Sequence, residues 1–173
     1  MENLVVQVKA VLLTTAAHWK NLTETLSADV LTRRPAPGKW SAIECLQHLV
    51  DTERLVFPVR FQALLAGRDF EAFNPDAQGT ATAEIQTPTD LAAEFARYRS
   101  ANLTALAQVT DSDLSRTARH SELGIVTLAE FLDEWAAHDL NHTVQAERAM
   151  MQPFIAGCGP WRGYFADHDI ART

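Results

Sequence analysis

Apolar residues recur at intervals of three and four along most of the chain. Leu4, Val8, Val11 or Leu12, Thr15, Trp19, Leu22 and Leu26 form one stripe, a spacing that puts them on a single face of an α-helix. Helix 1 is expected over residues 3–27. Proline and glycine are costly inside helices, and residues 1–34, 39–57, 89–123 and 125–152 contain neither. Helix 2 opens on Ser41-Ala-Ile-Glu44, a capping box in which hydroxyl and carboxylate each satisfy an orphan backbone N–H. It should run to about Ala66, kinked at Pro58, which cannot donate to the turn before it. Helix 3 starts at Thr87-Pro88-Thr89-Asp90 with proline in the first turn. Its inward series is Leu91, Phe95, Tyr98, Asn102, Ala105 or Leu106 and Val109, with an end near Thr110. Helix 4 follows a second capping box, Thr127-Leu-Ala-Glu130, and turns Leu128, Phe131, Trp135, His138, His142, Gln145 and Ala149 inward.

The connections are uneven. Residues 28–40 and 111–126 are of middling length, whereas 67–88 is long for two neighbouring antiparallel helices and predicts a crossover between helices 2 and 3. No stretch alternates long enough to build a sheet, although residues 120–126 suit a short extended or turned segment. The fold class is all-α: a four-helix bundle with a long crossover, forming a single domain over residues 1–173.

Composition agrees with an ordinary packed core, at 47% hydrophobic and 21% charged residues. The 15 Lys+Arg against 22 Asp+Glu leave a net charge of −7, and no basic run exceeds Arg33-Arg34, so an electrostatic grip on nucleic acid is excluded. The chain start lacks a basic region followed by an apolar run, and no apolar stretch approaches the roughly 18 residues of a membrane span. A cytoplasmic protein without a membrane partner is expected. Cys45 and Cys158 are too few for a disulfide framework and are expected reduced.

Candidate chemistry centres on histidine. His138 and His142 lie about 6 Å apart along one helix face, so both imidazoles can point at one ion. They replace apolar residues at consecutive inward positions, where unpartnered burial costs on the order of 1–3 kcal/mol each. His48, in the stripe Cys45, His48, Thr52, Leu55 and Val59 of helix 2, is the natural third nitrogen. Two readings stand side by side. Either the three imidazoles hold one metal and leave a position open for water or substrate, or they are core histidines bonded to Thr, Asn or backbone. A di-iron carboxylate site needs Glu-x-x-His, which does not occur.

Other residues carry weaker signals. Glu44 and Glu134 each precede a histidine by one turn; Glu44 is claimed by its cap, Glu134 by nothing. Asp51 and Glu134 are the candidates for a catalytic base. Asp139 sits about 100° round the helix from His138 and should face a neighbour or solvent. Gln145 lies on the histidine seam and Asn141 beside it. Trp40 and Trp135 suit the core, with a pocket wall as the alternative. Cys45 is expected to pack rather than ligate, and Cys158 to be accessible. His18, His120 and His168 have no partners at metal spacing.

Two segments carry a family resemblance. Trp40-Ser-Ala-Ile-Glu-Cys-Leu-Gln-His48-Leu-Val-Asp-Thr-Glu53 and Leu128-Ala-Glu-Phe-Leu-Asp-Glu-Trp-Ala-Ala-His138-Asp-Leu-Asn-His142-Thr-Val-Gln145 resemble the signature helices of the DinB/YfiT-like superfamily. Ser121–Thr127 and Gly159–Tyr164 resemble its loop and tail. The resemblance implies a four-helix bundle, usually a homodimer, with one divalent metal held by His48, His138 and His142. Such a three-nitrogen site suits Zn, Ni, Fe(II), Co or Mn. Characterised relatives include transferases and isomerases that use a low-molecular-weight thiol as co-substrate. The leading expectation is thus a metal-dependent S-transferase acting on a small electrophile. The alternatives are a metal-dependent hydrolase and a non-catalytic stress-response or ligand-binding protein with a structural metal.

Overall fold

A computed structural model describes residues 3–72 and 86–170 of the chain. The helices are α1 (Leu4–Thr25), α2 (Ala28–Thr32), α3 (Ala42–Leu55), α4 (Phe57–Leu65), α5 (Pro88–Leu106) and α6 (Leu128–Gly157), with strands β1 (Thr117–His120) and β2 (Gly124–Thr127) before α6. The sequence expectations hold in outline, with local differences that have physical causes.

Both capping boxes form: Ser41 with Glu44, and Thr127 with Glu130. Helix 2 is not kinked but broken. Pro58 supplies no N–H for the preceding turn, so α3 stops at Leu55, Val56 forms the junction, and α4 begins with proline in its first turn. Helix 4 continues beyond residue 152 and passes through Pro153 to Gly157. Helix 3 ends at Leu106, four residues early. The segment around residues 120–126 is a two-stranded antiparallel hairpin, pairing Thr117 with Thr127 and His120 with Gly124. Gly124, at φ +81°, takes the left-handed backbone that the return requires. The chain leaving α4 lies against this hairpin, with Phe70 N–H donating to Arg119 O at 3.0 Å.

The core divides into two apolar halves. One joins Val5, Val8 and Leu12 of α1 to Phe57, Phe61 and Leu64 of α4, Leu106 of α5, and Leu128, Phe131, Leu132 and Trp135 of α6. The other joins Trp19, Cys45, Leu46, Leu49, Leu91, Phe95, Ala146 and Met150. The order in which each helix meets these halves sets its direction. α1 and α6 run from the first half to the second, while α3–α4 and α5 run from the second to the first. α1 and α3 each pack along both α5 and α6. α3 and α5 are therefore parallel neighbours, and the chain between them must return the length of the bundle, as expected from the long 67–88 connection. Residues 73–85 of that crossover lie outside the described residues.

A polar layer separates the halves. Arg99, 1% exposed, donates from Nη1 and Nη2 to the two carboxylate oxygens of Asp139 at 2.8 and 2.9 Å, and from Nη2 to Glu53 Oε1 at 2.9 Å. Asn102 and Trp135 donate to Glu53 at 2.8 and 2.7 Å, and the Thr15 hydroxyl donates to Asp139. Burial opposes the charge on Arg99, but the two carboxylates outweigh it. Residues from α1, α3, α5 and α6 are joined at this one level.

Candidate metal centre

α3 and α6 run antiparallel, and their pairing brings His48 opposite His138 and His142. Asp139 and Glu53, the residues that lock these two helices through Arg99, lie one position after His138 and five after His48. Register in the polar layer thus sets register at the histidines. His48 Nε2 and His138 Nε2 stand 3.1 Å apart. One ligand nitrogen from each of the three rings lies within 4.8 Å of the others. Ring centroids are separated by 5.1 Å for His48 and His138, and by 4.5 Å for each of the pairs that include His142.

The surroundings keep these rings neutral. Burial, with His142 beside it, pushes His48 down to about 4. Burial, with the other two histidines and then Arg60 and Arg99 adding to it, pushes His138 down to about 3. His142 is lowered by burial and partly restored by its bond to Gln145 and by Asp139. A neutral imidazole offers a lone pair, which is the form that binds metal.

The donor set fits one borderline divalent ion. At metal–nitrogen distances of about 2.0–2.1 Å, ligands on a tetrahedral centre sit roughly 3.3 Å from each other, close to the observed His48–His138 spacing. His142 Nδ1 bonds Gln145 Oε1 at 2.9 Å, which fixes the ring and directs Nε2 to the cluster. His138 Nδ1 is buried without a hydrogen-bond partner. Among the described residues no other group of three His, Cys, Asp or Glu offers comparable spacing.

Aromatic rings enclose the cluster. Trp40 packs against the second apolar half and also walls the cluster, 5.2 Å from His48 and stacked 6.0 Å from His142, whereas Trp135 is buried and stacks on Phe57 at 4.8 Å. Phe57 meets His138 edge-on. One side remains open. A pocket of about 200 Å³ is lined by His48, Thr52, Val56, Phe57, Arg60, Glu134 and His138. A second pocket of about 270 Å³ lies behind Trp40 and includes Asn141, Gln145 and Arg148.

The remaining candidates separate cleanly. Glu134 reaches the pocket from the exposed side of α6; desolvation raises its pKa and Arg60 pulls it back. Asp51 is buried but turned to Gln47 and Arg54 at 3.3 and 3.1 Å, and does not line the histidine pocket. Glu44 holds its cap and Arg34. Cys45 is fully buried among apolar side chains, and burial pushes its thiol up to about 12, the wrong direction for a ligand. The Cys158 thiol donates to Phe154 O. His18 pairs with Glu147, and His120 Nδ1 accepts from the N–H of Glu122 in the hairpin turn. Asp139 faces its neighbour Arg99, completely buried.

Sequence reasoning did not single out Glu53, Arg99 or Arg60. The first two had a signal: Leu46, Leu49 and Glu53 keep one inward spacing on α3, and Leu91, Phe95, Arg99, Asn102 and Leu106 another on α5, so a charged residue stands in each where an apolar one should. Arg60 had none, because its place depends on the break at Val56.

Fold and site together define a helical bundle with a three-histidine cluster opening on a pocket. Residues 12–146 match the family model of the DinB superfamily, a span that includes all three histidines, and the chain belongs to that superfamily. Among solved structures it is similar to YfiT from Bacillus subtilis, described as a probable metal-dependent hydrolase with an unusual four-helix bundle topology. The match has a TM-score of 0.71 at 19% identity and covers 85% of each chain. No curated protein matches the sequence.

Proposed function

We propose that the chain is a metal-dependent enzyme in which His48, His138 and His142 hold one divalent ion, with Zn, Ni, Fe(II), Co and Mn as candidates. The observation that carries this reading is the convergence of three neutral ring nitrogens within 4.8 Å, with the rings of His48 and His138 lining an open pocket. An ion with an open position lowers the pKa of a thiol or water placed there and polarises an adjacent electrophile. The chain's own residues supply the rest. Gln145 orients His142, Val56 and Phe57 give the pocket its apolar wall, and Glu134 lines it as a carboxylate whose pKa desolvation raises and Arg60 pulls back.

Thiol transfer to a small electrophile is the first chemistry proposed, with a low-molecular-weight thiol as co-substrate. Hydrolysis is the second, supported by Glu134 as a base and by the description of YfiT. The test incubates the metal-loaded chain with a model electrophile and a thiol, and separately with esters and amides. Metal-dependent loss of thiol supports transfer, and turnover without thiol supports hydrolysis. A rise in melting temperature without turnover supports a structural ion. The same proposal has the protein acting in the cytoplasm as a homodimer. Exposed Val6 and Leu13 on α1 and Leu140 and Val144 on α6 support self-association, which light scattering tests. No described helix is long and apolar enough to cross a membrane.

A further inference from the structure

Arg60, on α4, lies where three depressions meet. It lines the histidine pocket together with Glu134, a second hollow beside Phe70 and His120, and a third along Val59 and Arg68. Its guanidinium stands over the Phe70 ring, 5.7 Å from the centroid. Arg33, Arg34, Arg54 and Arg116 each hold a carboxylate. Arg60, though half-buried, has no ion pair among the described residues. Glu134 and Glu122 act on it only at longer range. An arginine cannot shed its proton, so this is a permanent cation beside the apolar wall of Val56 and Phe57, its hydrogen-bonding fork without a partner among the described residues.

We propose that Arg60 is the anion seat of the histidine pocket. Its ligand is a small carboxylate whose acid group pairs with the guanidinium while its other end faces His48 and His138. This rests on the reading of the histidines as the metal-holding wall. Three observations select the class. The planar fork of arginine matches a carboxylate in two parallel hydrogen bonds. At about 200 Å³ the pocket is smaller than the roughly 300 Å³ at which drug-sized sites begin, so only a few heavy atoms fit. Glu134 also lines the pocket, and a carboxylate there admits a single negative charge more readily than the double charge of a phosphate monoester.

The test compares 3-mercaptopropionate with 3-mercapto-1-propanol by calorimetric titration into the zinc-loaded chain. The acid should bind about tenfold more tightly. Arg60→Gln should bring the two within about twofold of each other and leave the alcohol's affinity unchanged, while Arg60→Lys, which keeps charge without the fork, should retain part of the preference. Equal binding by the wild-type chain, or an undiminished preference in Arg60→Gln, overturns the proposal. Zinc retention, measured separately by dialysis, reports on the histidines. If the chain takes up no zinc, propionate and 1-propanol are compared on the metal-free chain by the NMR shift of the Arg60 Nε–H. A shift with propionate alone then supports the seat, and its absence overturns it.

Discussion

α6 carries two polar clusters side by side, and they are built in opposite ways. At Asp139, every carboxylate oxygen meets a donor: Arg99 and Thr15 close the cluster, and Glu53, Asn102 and Trp135 extend it across the bundle. At His138 and His142, one residue before and three after, His138 Nε2 faces His48 Nε2, His138 lines an open pocket, and its Nδ1 has no partner. Both clusters place polar groups where apolar ones would pack. The difference is in completion. A buried network whose carboxylate oxygens are all matched, with only Arg99 Nε left over, is closed to a ligand and holds helices in register, whereas one left incomplete at a pocket has room for one. The first positions the second.

The comparison breaks most forcefully at Arg99. Arg99→Met leaves Glu53 and Asp139 buried without their cation and should cost about 3–5 kcal/mol in urea denaturation. Replacing all three residues by apolar ones of similar size should cost less than the single change. A loss under about 1 kcal/mol for Arg99→Met would show that the layer is not the lock described above.

At the incomplete cluster the expected result is different in kind. His138→Ala should leave the metal-free chain folded, because Arg99, Glu53 and Asp139 hold the helices in register without it. It should abolish the stabilisation that zinc gives the wild-type chain, about 2.7 kcal/mol at one hundred times the dissociation constant. Elemental analysis should find one ion per wild-type chain and none in the His138→Ala/His142→Ala chain. Equal metal in both would end the metal reading.

The histidines also set a pH dependence. Folded His48 and His138 protonate only near 4 and near 3, whereas unfolded histidines do so near 6.5. Between these values the unfolded chain binds more protons, so stability of the metal-free protein is full above about pH 6.5 and falls as pH drops. The slope is up to about 1.4 kcal/mol per pH unit for each histidine. Glu134 and Asp51, whose pKa values are raised, act in the opposite sense. Denaturation at pH 7, 6 and 5 of the wild-type and His48→Ala/His138→Ala chains isolates the histidine part, and identical curves would refute it. The smallest effect is expected at Gln145. Gln145→Ala should weaken zinc binding about tenfold, by releasing His142 Nδ1, without changing stoichiometry, as competition with a chelator would show.

Much of this was legible along the chain because the causes are local. The capping boxes at Ser41 and Thr127 need only residues three apart, and the His138–His142 pair needs only one turn of helix. Other features were illegible for equally physical reasons. Pro58 predicts a disturbance, but whether the helix bends or breaks depends on how Phe57 and Phe61 bury against α6. The window free of Pro and Gly stops at residue 152, yet the helix passes through Pro153 to Gly157, because one missing N–H near a helix terminus is tolerated once Ile155 is buried. The hairpin strands are four residues each, too short for alternation to register, and pair with help from Phe70 fifty residues away.

By itself, then, the sequence determined the helices, their caps, the inward faces and the presence of three histidines on two of those faces. Tertiary structure decided what the polar residues on those faces do. Asp139 and Arg99 are forty residues apart, and Arg60 reaches the histidines only after the chain breaks at Val56. Periodicity assigns a residue to a face. Whether a polar group there finds a partner or faces a pocket depends on which helix lies opposite and at what register, and that is settled only when the bundle packs.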